Sequence, residues 1–295
     1  MSFFKVEPDQ AQIDKFKGRV GQMIPTKLTT EESEEKLAMQ GDYGFEDKDD
    51  EWETWRPVDK AGYRPKPRLL RPDIKDPLRP TWEDYLCEEN FDQDWYIVGG
   101  GSSALDHGRE LDGKLVYGVN WTGKWFMPTF LQIIDPTPFQ IEVASASARW
   151  VEPNTQLITS RYMFREHCGQ DPEFLWFKHI HPECANDRES PRFAETHEEQ
   201  MGWAPNSLWH ALQVAYWFRP RRIILLGFDW GGAHLFGNGA TVGALGVYDG
   251  KKSLRPRLEY MKDQMERRGM VIRHVGPTKL DLFKQVATIE EALET

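Results

Sequence analysis

The 295-residue sequence is poor in cysteine, has no long apolar run and carries no excess of positive charge. Its three cysteines, Cys87, Cys168 and Cys184, are an odd number and make no disulfide framework for a chain this long. No stretch of about 18 apolar residues occurs, which excludes a membrane-spanning helix. The opening residues, MSFFKVEPDQAQIDKFKG, hold no apolar run of secretory-signal length. These absences predict a protein of a reducing cytoplasm, or of a host cytoplasm or virion if phage-encoded. The net charge of −10 argues against a nucleic-acid coat, which needs a basic footprint. No G-x-x-x-x-G-K-[ST] element is present, so P-loop phosphotransfer is excluded.

Charge and tryptophan are both unevenly distributed. Residues 1–93 carry 15 basic and 22 acidic side chains, and the remaining 202 residues carry 22 and 25. Within the first third, residues 31–53 hold eleven acidic and two basic residues. Residues 54–80 reverse the sign, with eight basic, three acidic and six prolines. Proline fixes φ and removes a backbone donor, so this stretch is expected to be extended. Residues 1–93 are therefore predicted to form an irregular arm, acidic and then proline-rich and basic. Trp52, Trp55, Tyr63 and Trp82 predict that it docks, on its own domain or on a protein partner, because solvated tails are poor in aromatics.

From Asp94 the pattern becomes that of an α/β domain, 94–295. Short apolar runs at 95–101, 115–121, 128–136, 155–160, 174–180, 221–230 and 270–275 read as strands. SLWHALQVAYWF (207–218) and residues 253–269, closed by Gly269, read as helices, and ATIEEALET as a last short one. Strands alternating with crossovers predict a Rossmann-like, mostly parallel sheet with helices on both faces. Ligands of such sheets lie outside the carboxyl ends of the strands. The residues at those ends are Gly99, Gly100, Gly101, Ser102 and Ser103, then Asn120, Asp135, Thr159, Ser160 and Asp229.

Gly99–Ala104 fits G-x-G-x-x-A after a strand, which suits a loop that lets backbone approach a phosphate. A nicotinamide site needs an acid about 20 residues on, and Asn120 stands there instead. His179, His181 and Cys184 have metal-ligand spacing without an evident fourth ligand, and a polar loop explains them as well. Trp209 and Trp217, eight apart on one helix, read as core. Residues 183–200 read as a polar loop or lid.

The order of elements resembles a known superfamily. A strand ends in GGGSS, the next in VN (119–120), the next in DP (135–136) and a later one in TS (159–160). "ALQVAY…RRIILLGFD" follows, then a histidine in GGAHLFG and a closing "TIEEAL". Residues 94–293 thereby resemble the group joining bacterial CMP-sialic-acid-dependent sialyltransferases with 6-hydroxymethylpterin diphosphokinase-like proteins, a group that includes many phage and bacterial proteins. The resemblance implies a glycosyltransferase-like fold that binds a nucleotide-type small molecule, a nucleotide sugar, CMP-linked in the sialyltransferases. It implies that Gly99–Ser103, Asn120, Thr159 and Ser160 hold the donor, that Asp229 closes the cleft and that His234 is the general base. In a pyrophosphokinase-like variant, Asp135 and Asp229 would hold Mg²⁺. The group's loop reads Gly-Asn-Gly-Pro-Ser, and here Gly100 and Ser102 replace the Asn and the Pro. That loss and the long arm equally suit a degenerate transferase fold serving as a structural or assembly module, as in a phage particle. Either reading is compatible with an oligomer.

Overall fold

The computed structural model describes Arg68 and residues 81–120, 122, 128–133, 156–160, 174–178, 193–202, 206–230 and 254–294. All of them fall within one compact unit, residues 43–295. Apart from Arg68, the first eighty residues lie outside the described ones, and with them the expectations for the acidic and proline-rich stretches.

The strands are β1 (Asp94–Val98), β2 (Leu115–Val119), β3 (Phe130–Ile133), β4 (Gln156–Ser160), β5 (Phe174–Phe177), β6 (Arg222–Leu226), β7 (Val271–Val275) and β8 (Lys284–Val286). They form one sheet in the order β5-β4-β3-β2-β1-β6-β7-β8. Every pairing in it is parallel. The chain runs outward from β1 to β5 on one side, then returns to β6 and runs outward on the other. The switch point of this Rossmann-like sheet therefore lies between β1 and β6.

Alternate residues of a strand face opposite sides, so each buried strand feeds two cores. Trp95, Ile97, Ile223, Leu225 and Ile272 face a layer that holds α2 (Ser207–Trp217) and α3 (Arg255–Arg267). Tyr96, Val98, Ile224, Leu226 and Val275 face the 3-10 segment Ser102–Leu111 and α4 (Ile289–Leu293). Trp95 stacks near Tyr117, Phe130 and Phe218, with ring centroids 5.7, 5.7 and 4.7 Å away. The first core also takes in Trp82 and Tyr85 of α1 (Trp82–Tyr85), where the Trp82 ring meets Trp217 edge-on at 5.2 Å. The core thus begins ahead of Asp94, and one of the aromatics upstream of that residue docks on the domain itself.

Helix α2 is buried on all sides, as its nearly continuous apolar sequence requires. Trp209 and Trp217 lie in the core as expected. Asn206 caps the helix by accepting the Leu208 N–H at 2.7 Å. Asn206→Ala should cost about 1 kcal/mol, measured by urea unfolding; an unchanged midpoint would show that the cap contributes nothing. The 193–202 segment is fastened to this helix. Gln213 exchanges two hydrogen bonds with Ala194, and the Trp217 indole N–H donates to the Ala194 carbonyl. The described part of the stretch read as a loop or lid, 193–200, is a loop fastened at Ala194 and mostly exposed beyond it. Among the described residues no helix is long and apolar enough to cross a membrane.

Candidate functional site

The switch point brings the glycine loop against the end of β6. Gly99 N–H donates to the Leu226 carbonyl at 2.8 Å, and Gly101 N–H to the Gly227 carbonyl at 2.6 Å. A Cβ on Gly99 would lie 2.6 Å from the Gly227 oxygen, and one on Gly101 would lie 2.5 Å from the Asp229 carboxylate. Gly227 sits at φ 68, and a Cβ there would meet Ala104 at 2.8 Å. Each of these glycines is required by the close approach of two backbones, whatever the loop binds.

Asp229 lies over this loop, buried, and accepts hydrogen bonds from the Ser103 N–H (3.2 Å) and the Ser103 hydroxyl. Burial raises its carboxyl above the ordinary carboxylate value, and the charge of Asp106 adds to this against the lowering effect of the Ser103 bonds. The backbone of the same turn is tied down from the far side. Lys279 N–H donates to the Asp229 carbonyl at 3.0 Å, and the Thr278 hydroxyl donates to the Phe228 carbonyl at 2.7 Å.

One strand over, Asn120 ends β2 at φ 52, a left-handed conformation that asparagine tolerates. Its amide NH₂ donates to the Ser207 hydroxyl at 2.9 Å. A polar chain seats the start of α2 there. The Tyr117 hydroxyl donates to Gln132 Oε1 at 2.7 Å, and the Gln132 amide donates to the Ser207 carbonyl at 3.0 Å. The Asn120 Oδ1 atom is buried and accepts from nothing among the described residues. A buried amide oxygen left without a donor is costly, which marks it as a place for an incoming one.

The other expected residues are placed less closely or lie outside the described ones. Thr159 and Ser160 end β4, at the same edge but four strands from β6, about 19 Å away at normal strand spacing. Their side chains, Asp135 and His234 lie outside the described residues, as do His179, His181 and Cys184. His107, in the 3-10 segment after the loop, pairs with Glu110 at 3.0 Å. Among the described residues, Glu83, His197 and Glu198 have donor atoms within 4.8 Å of one another, but they are mostly exposed carboxylates, which make no metal centre by themselves.

His274 was not singled out from the sequence. It lies on β7, fully buried, with neither ring nitrogen in a hydrogen bond among the described residues. Burial pushes its imidazole down to about 4, and the nearby backbone of Gly276 and Phe228 opposes that shift without reaching hydrogen-bond geometry. The signal was present in VIRHV, where an imidazole interrupts a run of core strand residues.

No protein-family model matches this chain, and no curated protein matches it. A solved structure described as "Structure of MAf glycosyltransferase from Magnetospirillum magneticum AMB-1" is similar over 75% of this chain, at 9% identity and a TM-score of 0.41. The chain spans 35% of that protein's length. A likeness of that size says nothing of activity, and what is established is the architecture: an open, parallel, Rossmann-like α/β sheet with its switch point between β1 and β6.

Proposed function

We propose that this chain is a nucleotide- or nucleotide-sugar-dependent transferase whose donor lies over the switch point. The observation that carries this reading is the meeting of the glycine loop and the buried Asp229 carboxylate between β1 and β6. An acid at the carboxyl edge of such a sheet suits ribose hydroxyls, which donate to it. The Gly101 and Ser103 N–H groups are already used, so Gly100 and Ser102 are the loop positions left for a phosphate. The Asn120 Oδ1 atom would accept from a donor group of the bound molecule. In this reading His234 takes the proton of the acceptor hydroxyl, a role that suits imidazole as a side-chain type.

The test is ligand-dependent thermal stabilisation by CMP, UDP, GDP and ADP compounds. One of them should raise the Tm, and Asp229→Ala should weaken that stabilisation about tenfold in ligand concentration, the loss of about 1.4 kcal/mol. A transfer assay with the stabilising donor should then lose most turnover in His234→Ala. Equal turnover by mutant and parent removes the role of His234.

A second reading is favoured by one specific observation. Asp229 already occupies the Ser103 donors, much as a bound anion would. A degenerate transferase fold serving as an assembly module, with its first residues on a protein partner, explains a loop closed in this way. No stabilisation by any nucleotide would select this reading. A truncation that tests the partner should end before Arg68, because Arg68 N–H donates to the Lys114 carbonyl at 2.7 Å and its carbonyl accepts from Thr129.

A further inference from the structure

At the opposite edge of the sheet, where β6 and β7 begin, lies an open cavity of about 470 Å³ lined by Asp92, Arg219, Pro220, Arg221, Arg268, Gly269 and Met270. It faces away from the strand ends that form the switch point. Its size is that of a small-molecule site. Three arginines are among its lining residues, in a chain whose net charge is −10.

The obvious structural explanation is that these arginines offset the C-terminal ends of α2 and α3. The hydrogen bonds speak against it. Phe218 and Arg219 N–H cap Ala215 and Tyr216 at the end of α2. Arg268, Gly269 and Met270 N–H cap Met265 and Glu266 at the end of α3. Two of the last carbonyls of each helix are satisfied by backbone, with Gly269 at φ 79 as the αL residue of the second cap. The arginine side chains are directed elsewhere. Arg221 forks onto Asp94, and Arg268 lies 4.2 Å over the Tyr216 ring and bonds Glu195. Arg219 lies 5.5 Å from the Phe91 ring and has no carboxylate partner among the described residues.

The backbone adds an independent observation. Arg219 is at φ 48, in the position after α2 where glycine would be relaxed. Asp92, on the facing wall, is at φ 55, and its N–H donates to the Arg219 carbonyl at 3.2 Å. An arginine kept in a left-handed cap carries a strain that its backbone does not need, and strain of this kind concentrates at binding sites. Arg219, over the Phe91 ring, keeps its guanidinium for two-point contact with an oxyanion, whereas Arg221 and Arg268 offer the N–H groups that Asp94 and Glu195 leave over. Each helix end places roughly half a negative charge nearby, and with Arg221 and Arg268 paired to Asp94 and Glu195 it is the charge of Arg219 that is left for a ligand.

We propose that this cavity binds a phosphomonoester that bears a hydroxyl group, such as a sugar phosphate. Arg219, Arg221 and Arg268 take the phosphate oxygens. Asp92, a carboxylate that would repel a bare anion, accepts the neighbouring hydroxyl.

The experiment is calorimetric titration of the full-length protein with a hexose 6-phosphate, inorganic phosphate and the free hexose. The hexose phosphate should bind, inorganic phosphate more weakly, and the hexose not at all. Arg219→Gly should weaken binding at least tenfold while the ligand-free Tm stays level or rises, because glycine is relaxed at that φ. Arg268→Gln should weaken it independently. Asp92→Asn should abolish the preference for the sugar phosphate over inorganic phosphate. No binding to the parent protein, unchanged binding in Arg219→Gly, or an intact preference in Asp92→Asn overturns the proposal. Binding that survives Arg219→Gly and is lost in Asp229→Ala would place the phosphate at the switch point instead.

Discussion

Gly101→Ala is expected to destabilise the domain by about 3 kcal/mol, the upper end for forcing one carbon into a close-packed site. In a unit of this size that lowers the Tm by about 6–12 °C. The reason is contact and not conformation. Gly101 has φ −73, which any residue adopts, yet its Cβ would lie 2.5 Å from the Asp229 carboxylate and 2.6 Å from the Gly227 carbonyl oxygen. Gly113 provides the control, with φ 64 and no atom within 4 Å of its Cβ position. Gly113→Ala should cost only the strain of a left-handed residue, about 1 kcal/mol. Pairing Gly101→Ala with Asp229→Ala relieves one of the two contacts and should restore part of the loss. Thermal unfolding of the four variants decides the matter. A Gly101→Ala protein as stable as its parent would mean that β1 and β6 do not approach this closely.

The second large effect is a loss of stability in acid through His274. Its folded value of about 4 lies below the ordinary 6.5, so the unfolded chain binds the proton more readily. The contribution is complete above about pH 6.5, falls as the pH drops toward 4, and amounts to about 3 kcal/mol across that window. Asp94 acts in the same direction at lower pH. Burial works to raise its carboxyl, but the Arg222 and Arg221 hydrogen bonds outweigh it and hold the group below its ordinary value. Asp229 acts oppositely, because its raised folded value favours the folded state in acid and loses that advantage as the pH rises. His274→Leu isolates the histidine. Urea unfolding at pH 7 and pH 4.5 should show a much flatter dependence in the variant. The variant should also be at least as stable as the parent at pH 7, since two buried nitrogens without partners are removed. An unchanged pH dependence would clear His274 of the role.

Both effects bear on how far the sequence could be read. WYIV, LVYGV and RIILL are short apolar runs buried on both faces, and that composition alone specifies interior parallel strands. The apolar run of α2 and Gly269 after α3 were legible for the same kind of local reason. β8 was not legible. KQV is three residues at a sheet edge, mostly exposed, with no periodicity to reveal it. Trp82 and Tyr85 read with the arm because charge and proline dominate the sequence upstream of them, while burial depends on what lies across from them in space.

The candidate site divides along the same line. Sequence by itself determined that the chain is a mostly parallel α/β sheet and that a glycine loop follows its first strand. Those are consequences of local pattern and of glycine's missing Cβ. Only the tertiary structure decided what that loop lies against. It placed Asp229 on Ser103, left Asn120 Oδ1 and His274 without partners, and brought Arg219, Arg221 and Arg268 around Asp92. These groups are separated by up to 176 positions in the chain and meet through sheet order alone, Asp92 and Arg268 among them. Local propensity carries no record of which strand will lie beside which, and charge, burial and hydrogen bonding at a site depend on that order.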